Sequence, residues 1–192
     1  MDRQAAEIRS GWRGGQFGLT LVELALVLGL VAVMSALAAP SFRSMWRTVL
    51  LDTQSSLFLG HLYLARSEAI KRRARVVMCK SSDGTRCDDQ GGWDQGWIVF
   101  HDANNDAHPD PGEAIVARSQ TGNTSIRVTG NLQVARYVSY TPTGVARLTS
   151  GAFQAGTITL CVAESGIKDA RRIILSSSGR PRLSNKTVSS YP

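Results

Sequence analysis

Residues 24–42, LALVLGLVAVMSALAAPSF, form an uncharged run of nineteen positions, and the residue immediately before it is Glu23. As a helix, such a run is long enough to cross a hydrocarbon core of about 30 Å. Arg3, Arg9 and Arg13 precede it and place the N-terminus on the cytoplasmic side by the positive-inside rule, against the weaker pull of Arg43 and Arg47 beyond it. A cleavable secretory signal is the competing reading, because its small-residue cut site follows the apolar stretch and residues 36–39 supply one. Length and spacing leave both open. Glu23 bears on the choice, since an ionisable side chain at the start of a lipid-embedded helix is unfavourable until it finds a partner.

Glu23 lies five residues beyond Gly18, and Gly18-Leu19-Thr20-Leu21-Val22-Glu23 resembles the type IV prepilin signature: glycine, the cut, an apolar residue, threonine, two aliphatics and a glutamate fifth in the mature chain. Leu19 stands where phenylalanine is commonest in that family. Pro40 falls where such pilins carry a helix-kinking proline. The resemblance implies a cytoplasmic leader over 1–18 removed by a prepilin peptidase, a methylated amine on Leu19, and a membrane-spanning or filament-core helix over 19–42. It further implies a single-pass protein of the bacterial inner membrane with its C-terminal domain in the periplasm, later joined to major and minor pilins in a filament. There Glu23 would pair with the Leu19 amine of a neighbouring subunit. In lipid an unpaired charge costs several kcal/mol, so this pairing would set subunit register.

Beyond the apolar run the helix is expected to continue over 43–74, with Phe42, Met45, Trp46, Val49, Leu50, Leu57, Phe58, Leu62, Ala65 and Ala69 recurring every three to four residues. From Leu19 to Arg73 it would measure about 80 Å at 1.5 Å per residue, less any disturbance at Pro40 and Gly60. His61, near the apolar face, reads as a packed residue, because no nucleophile or metal pattern accompanies it. The remaining sequence, 75–192, changes to short strand-like runs at 75–79, 96–101, 114–118, 137–141, 157–162 and 172–176, separated by Gly, Asn, Asp, Ser and Pro clusters. One long helix followed by strands predicts an α+β fold, with an antiparallel sheet wrapped on the helix. At 192 residues, 43% hydrophobic and 19% charged, the chain has the material for one folded domain plus this long element.

Trp93-Asp94-Gln95-Gly96-Trp97-Ile98-Val99-Phe100-His101-Asp102, together with Glu68-Ala69-Ile70 and Ser178-Gly179-Arg180-Pro181-Arg182, resembles the FimT/GspH family of minor pilins and pseudopilins. That family includes both pilus subunits and type II secretion pseudopilins. The resemblance implies a pilin-like fold and a non-enzymatic role. No activated nucleophile or cofactor fingerprint is found in the chain, so neither catalysis nor a cofactor is expected.

Charge is unevenly distributed. Residues 81–117 hold eight acids against Arg86 alone, which leaves the rest of a +7 chain at +14. Within the acidic stretch Asp102, Asn104, Asp106, Asp110 and Glu113 occupy offsets 1, 3, 5, 9 and 12 of a calcium-loop pattern. Ala107 replaces the glycine of the sharp turn, Pro109 and Pro111 restrict the backbone, and strands replace the flanking helices. A surface loop whose Asp and Asn side chains bond its own backbone fits better than a calcium site. Cys79 and Cys87 flank an Asp-Gly turn and suit a disulfide, which requires an oxidising compartment and leaves Cys161 over; three buried free thiols are the alternative.

Residues 170–192 carry Arg171, Arg172, Arg180, Arg182 and Lys186 and no acid. Ser178-Gly179 suits a turn, and Arg180 and Arg182, two apart, point the same way if extended. Pro181 has no amide hydrogen and belongs on an edge or in a loop, which leaves both guanidiniums exposed. Some pilus members of the family carry a similar Gly-Arg-x-Arg pattern and bind DNA for natural transformation, usually with an aliphatic middle residue where this chain has Pro181. That resemblance implies non-specific contact of Arg180, Arg182 and Lys186 with double-stranded DNA. The alternative is an assembly-priming or tip subunit of a secretion pseudopilus that touches no nucleic acid.

Overall fold

The computed structural model describes residue 18 and residues 20–120, 125–162 and 170–184, with 37–41, 43 and 44 described by backbone only. The leader through residue 17, Leu19 and Lys186 therefore lie outside the described residues. The chain divides into two units, Met1–Arg43 and Ser44–Pro192, and helix α1 (Leu21–Arg72) contributes to both.

In the first unit, α1 starts where it does because Thr20 caps it. The Thr20 Oγ1 accepts the Glu23 amide at 3.2 Å, and the Thr20 carbonyl accepts the first helical bond from Leu24 at 3.1 Å. Thr20-Leu21-Val22-Glu23 is thus a Thr-x-x-Glu capping sequence, in which the cap contributes about 1 kcal/mol and the first-turn glutamate complements the helix dipole. Its apolar side chains, among the described residues, are exposed: Leu21 is 84% exposed and even Val27 is 48% exposed. A helix that is apolar all round requires burial by something else. Among the described residues no helix is long and apolar enough to cross a membrane. The span expected over 24–42 runs through side chains at 37–41, Pro40 among them, that lie outside the described residues.

In the second unit, α1 buries Leu51, Ser55, Phe58, Leu62, Ala65 and Ala69 at alternating steps of four and three. The expected stripe was partly misplaced: Phe42, Met45, Trp46, Val49 and Leu57 are exposed, whereas Leu51 and Ser55 are in the core. Ser55 is tolerated there because its hydroxyl donates to the Asp52 carbonyl at 3.1 Å. The helix ends in a Schellman turn, with Arg73 at φ +51° and the amides of Arg73 and Ala74 donating to the carbonyls of Ile70 and Ala69.

Two four-stranded antiparallel sheets follow, where a single sheet was expected. The first has the order β3 (Ile115–Ser119), β2 (Trp97–His101), β1 (Val76–Lys80), β5 (Tyr137–Tyr140). The second runs β4 (Ile126–Gly130), β6 (Gly156–Val162), β7 (Ala170–Leu175), β8 (Pro181–Ser184). β4 and β8 were not anticipated. β4 hides behind turn-forming residues, and β8 begins at a proline that the ladder accepts because β8 is an edge.

Both sheets contribute to a core built on α1. Phe58 meets Trp93 edge-on at 5.2 Å and Trp97 at 4.9 Å between ring centroids. Trp93 Nε1 donates to the Val134 carbonyl at 3.0 Å, and Trp97 Nε1 donates to His61 Nδ1 at 2.8 Å. His61 is therefore a packed acceptor, and burial lowers its pKa, which keeps the ring neutral. A second, smaller core of Val77, Cys79, Ile98, Phe100 and Ala107 lies on the other face of the first sheet.

Candidate functional site

The basic hairpin is built by β7, β8 and the turn between them. Leu175 pairs with Pro181, and the Ser176 amide donates to the Arg180 carbonyl at 3.3 Å, which carries the ladder one step past the strands. Ser177, Ser178 and Gly179 form a three-residue loop closed by the Gly179 amide on the Ser176 carbonyl at 2.9 Å, with Gly179 at φ +77°. This is the turn-plus-bulge loop that favours glycine at its last position. The Ser176 hydroxyl also donates to the Arg180 carbonyl at 3.1 Å.

The hairpin is fixed to the helix through the Gly144 turn and through side chains of α1. A β-carbon on Gly179 would fall 2.1 Å from the Gly144 carbonyl oxygen, and one on Gly144, itself at φ +75°, would fall 2.7 Å from Ile70 Cδ1. Arg66 Nε donates to that same Gly144 carbonyl at 2.9 Å, and the Tyr63 hydroxyl donates to the Pro181 carbonyl at 2.9 Å. Pro181 is buried, while Arg180 and Arg182 on either side of it are exposed. Both guanidiniums thus leave a backbone anchored at two points to α1. The sequence reading missed this support, and its only signal was the pair of glycines.

The acidic half is arranged differently. Asp102 is buried, and its carboxylate accepts the amides of Asn105, Asp106 and Ala107 at 2.7, 3.2 and 3.2 Å. Burial raises its pKa, the three amides oppose that shift, and the Glu113 charge adds to it. Asn104 donates to both Asp106 and Asp110, and Glu113 accepts from the Ala103 and Asp110 amides. Asp102, Asn104, Asp106, Asp110 and Glu113 share one loop, but their oxygens serve its own N–H groups. Among the described residues no group of three His, Cys, Asp or Glu side chains is placed to hold a metal.

Cys79 and Cys87 form a disulfide with their α-carbons 5.6 Å apart, while Cys161 is free and buried. Closing so short a loop restricts the unfolded chain by about 2–3 kcal/mol. Glu68 on α1 is held by Arg72 at 2.6 Å and Lys71 at 3.4 Å, and the Arg72 bond pulls its pKa down.

The family model described as type II transport protein GspH matches residues 54–179, about two thirds of the chain, and stops one residue short of Arg180. The pilin-like protein PilA1 of Thermus thermophilus is 29% identical over 174 residues, which cover 86% of this chain and 97% of that one. Two crystal forms of the type IV minor pilin FimU of Pseudomonas aeruginosa superpose with TM-scores of 0.54 and 0.55 at 16% and 17% identity. They cover 76% and 73% of this chain and 94% and 98% of theirs. At that identity the likeness shows a shared fold. The helix packed on antiparallel sheets and the extent of the family match together place this chain in the GspH family, as a minor pilin or pseudopilin.

Proposed function

We propose that this protein is a minor subunit of a type IV pilus that contributes to binding extracellular double-stranded DNA, through Arg180, Arg182 and Lys186, in support of uptake. The observation that carries this reading is the hairpin: two exposed arginines flank a buried proline on a sheet edge fastened to α1. Phosphate contact needs exposed, positioned cations and no base-reading surface, so such binding is independent of sequence. The pilin-like protein PilA1 and the type IV minor pilin FimU speak for a pilus. The family description speaks for the second reading, a structural subunit of a secretion pseudopilus.

Each phosphate contact adds about −0.9 to the slope of log affinity against log salt on duplex DNA. With the full chain solubilised in detergent, a gel-shift salt titration should give a slope shallower by about 1.8 for Arg180→Ala/Arg182→Ala than for the parent. Equal affinity and slope for the two proteins would remove the DNA reading and leave the structural one. Because a few contacts bind weakly, several subunits per filament would supply the rest by avidity.

Assembly rests on the other unit. Cleavage by a prepilin peptidase between Gly18 and Leu19 would expose an amine next to the Thr20 cap, at the head of a helix whose apolar surface calls for membrane or filament burial. Glu23, exposed in the first turn, would pair with that amine on a neighbour, and Pro40 would shape the helix further on. Glu23→Ala should reduce incorporation into filaments several-fold while the folded domain persists. Unchanged incorporation, measured on sheared filaments, would refute the pairing.

A further inference from the structure

Beyond residue 44, most of the described arginines are held by other groups of the protein. Arg66, Arg118 and Arg147 donate to backbone carbonyls, Arg75 donates to Ser139, and Arg72, Arg86, Arg136 and Arg171 meet Glu68, Asp83, Asp89 and Asp52. Arg73, Arg127, Arg172, Arg180 and Arg182 have side chains engaged by no hydrogen bond or ion pair among the described residues. Four of these five belong to the second sheet and its hairpin.

Strand register puts those four on one face. In β4, β6 and β7 the core side is taken by Ile126, Val128, Ile158, Leu160, Ile173 and Leu175. The opposite side carries Arg127 across from Cys161, Arg172 across from both Thr159 and Ser184, and Arg182 across from Ile174. Arg180, opposite Ser176, continues the same parity. No carboxylate occupies a described strand position on this face. Arg172 and Arg182 are diagonal neighbours at about 7–8 Å. Arg127 lies two strands and two residues from Arg172, about 12 Å by strand spacing. Arg127 to Arg182 therefore spans about 20 Å, close to the rise of six base pairs.

We propose that the DNA-contacting surface extends from the hairpin across the outer face of the β4-β6-β7-β8 sheet, with Arg127 and Arg172 as further phosphate contacts. This extension rests on the DNA reading above and completes it: the flanking Thr129, Thr159 and Ser184 supply neutral donors between the charges, and a polyanion is the occupant that four arginines without a partner among the described residues complement. The four arginines offer a slope of about −3.6, where the hairpin pair alone offers about −1.8.

The test is the same salt titration on the full chain in detergent, with a random-sequence duplex. Arg127→Gln/Arg172→Gln should flatten the slope by about 1.8, and Arg127→Lys/Arg172→Lys should restore it, because phosphate contact needs the charge and not the fork. Thermal midpoints within a degree or two of the parent would establish that the fold is intact. Should the double variant fold poorly, Arg127→Gln alone, on an exposed β4 position, should flatten the slope by about 0.9. Parent-like slopes in the sheet variants, with the Arg180→Ala/Arg182→Ala variant impaired, would overturn the extension and leave the hairpin reading intact. Parent-like slopes in every variant would instead defeat the DNA reading itself. Loss of filament incorporation with unaltered DNA binding would assign the face to a neighbouring subunit and equally overturn the extension.

Discussion

Trp93→Ala should lower the unfolding free energy of the folded domain by about 3–5 kcal/mol, a large share of the 5–15 kcal/mol available to a typical domain. Two losses combine. The indole is fully buried and meets Phe58 edge-on, so its removal leaves a cavity at the centre of the core. Its Nε1 is the donor to the Val134 carbonyl, and alanine leaves that acceptor without it. The neighbouring Asp94 carboxylate accepts the Val128 amide of β4 at 3.2 Å, so the short 3-10 turn Trp93–Gln95 clasps the second sheet from a loop that leads into the first. Trp93→Phe should lose less, about 1–2 kcal/mol, since it keeps an aromatic ring but drops the hydrogen bond. Urea unfolding followed by circular dichroism reads both. A loss below about 1 kcal/mol for the alanine variant would show that this turn is not part of the cooperative core.

That clasp also marks the limit of what the amino-acid order reveals. The long helix, six of the eight described strands and the Cys79–Cys87 bridge follow from local signals: an uncharged run, period-two segments and an Asp-Gly turn between cysteines. The helix face was harder to place. Met45, Trp46 and Val49 satisfy the same recurrence as Leu51, Phe58 and Leu62, and only the position of the sheets determines which set is covered. Thr20 was legible in principle, since Thr-x-x-Glu before an apolar run is a capping signal. The calcium-like spacing at 102–113 shows the converse hazard. Asp and Asn at alternate positions suit both metal ligation and a loop that hydrogen-bonds itself, and in the structure the Asp102 carboxylate accepts three amides of its own loop. For the basic site, Arg180 and Arg182 were visible in the sequence. Their common face with Arg127 and Arg172 was not, because it depends on β4 pairing with β6, an order that strand composition does not specify.

Gly179 offers the second large effect, because two separable penalties meet there. Any β-carbon at φ +77° carries about 1–2 kcal/mol of left-handed strain. In Gly179→Ala the added carbon also falls 2.1 Å from the Gly144 carbonyl oxygen, which is backbone and already engaged by Arg66, so it yields only by moving the hairpin off α1. Overpacking of that kind adds about 1–3 kcal/mol, for a total of about 2–5 kcal/mol. Gly151→Ala separates the terms. Its φ is +85°, similar to that of Gly179, but nothing lies within 4 Å of its would-be β-carbon, so it should show the strain alone. The difference in unfolding free energy between the two variants measures how firmly the hairpin is held. Equal losses would mean that the Gly144–Gly179 contact gives way freely, and Arg180 and Arg182 would then be carried on a loose edge instead of an anchored one.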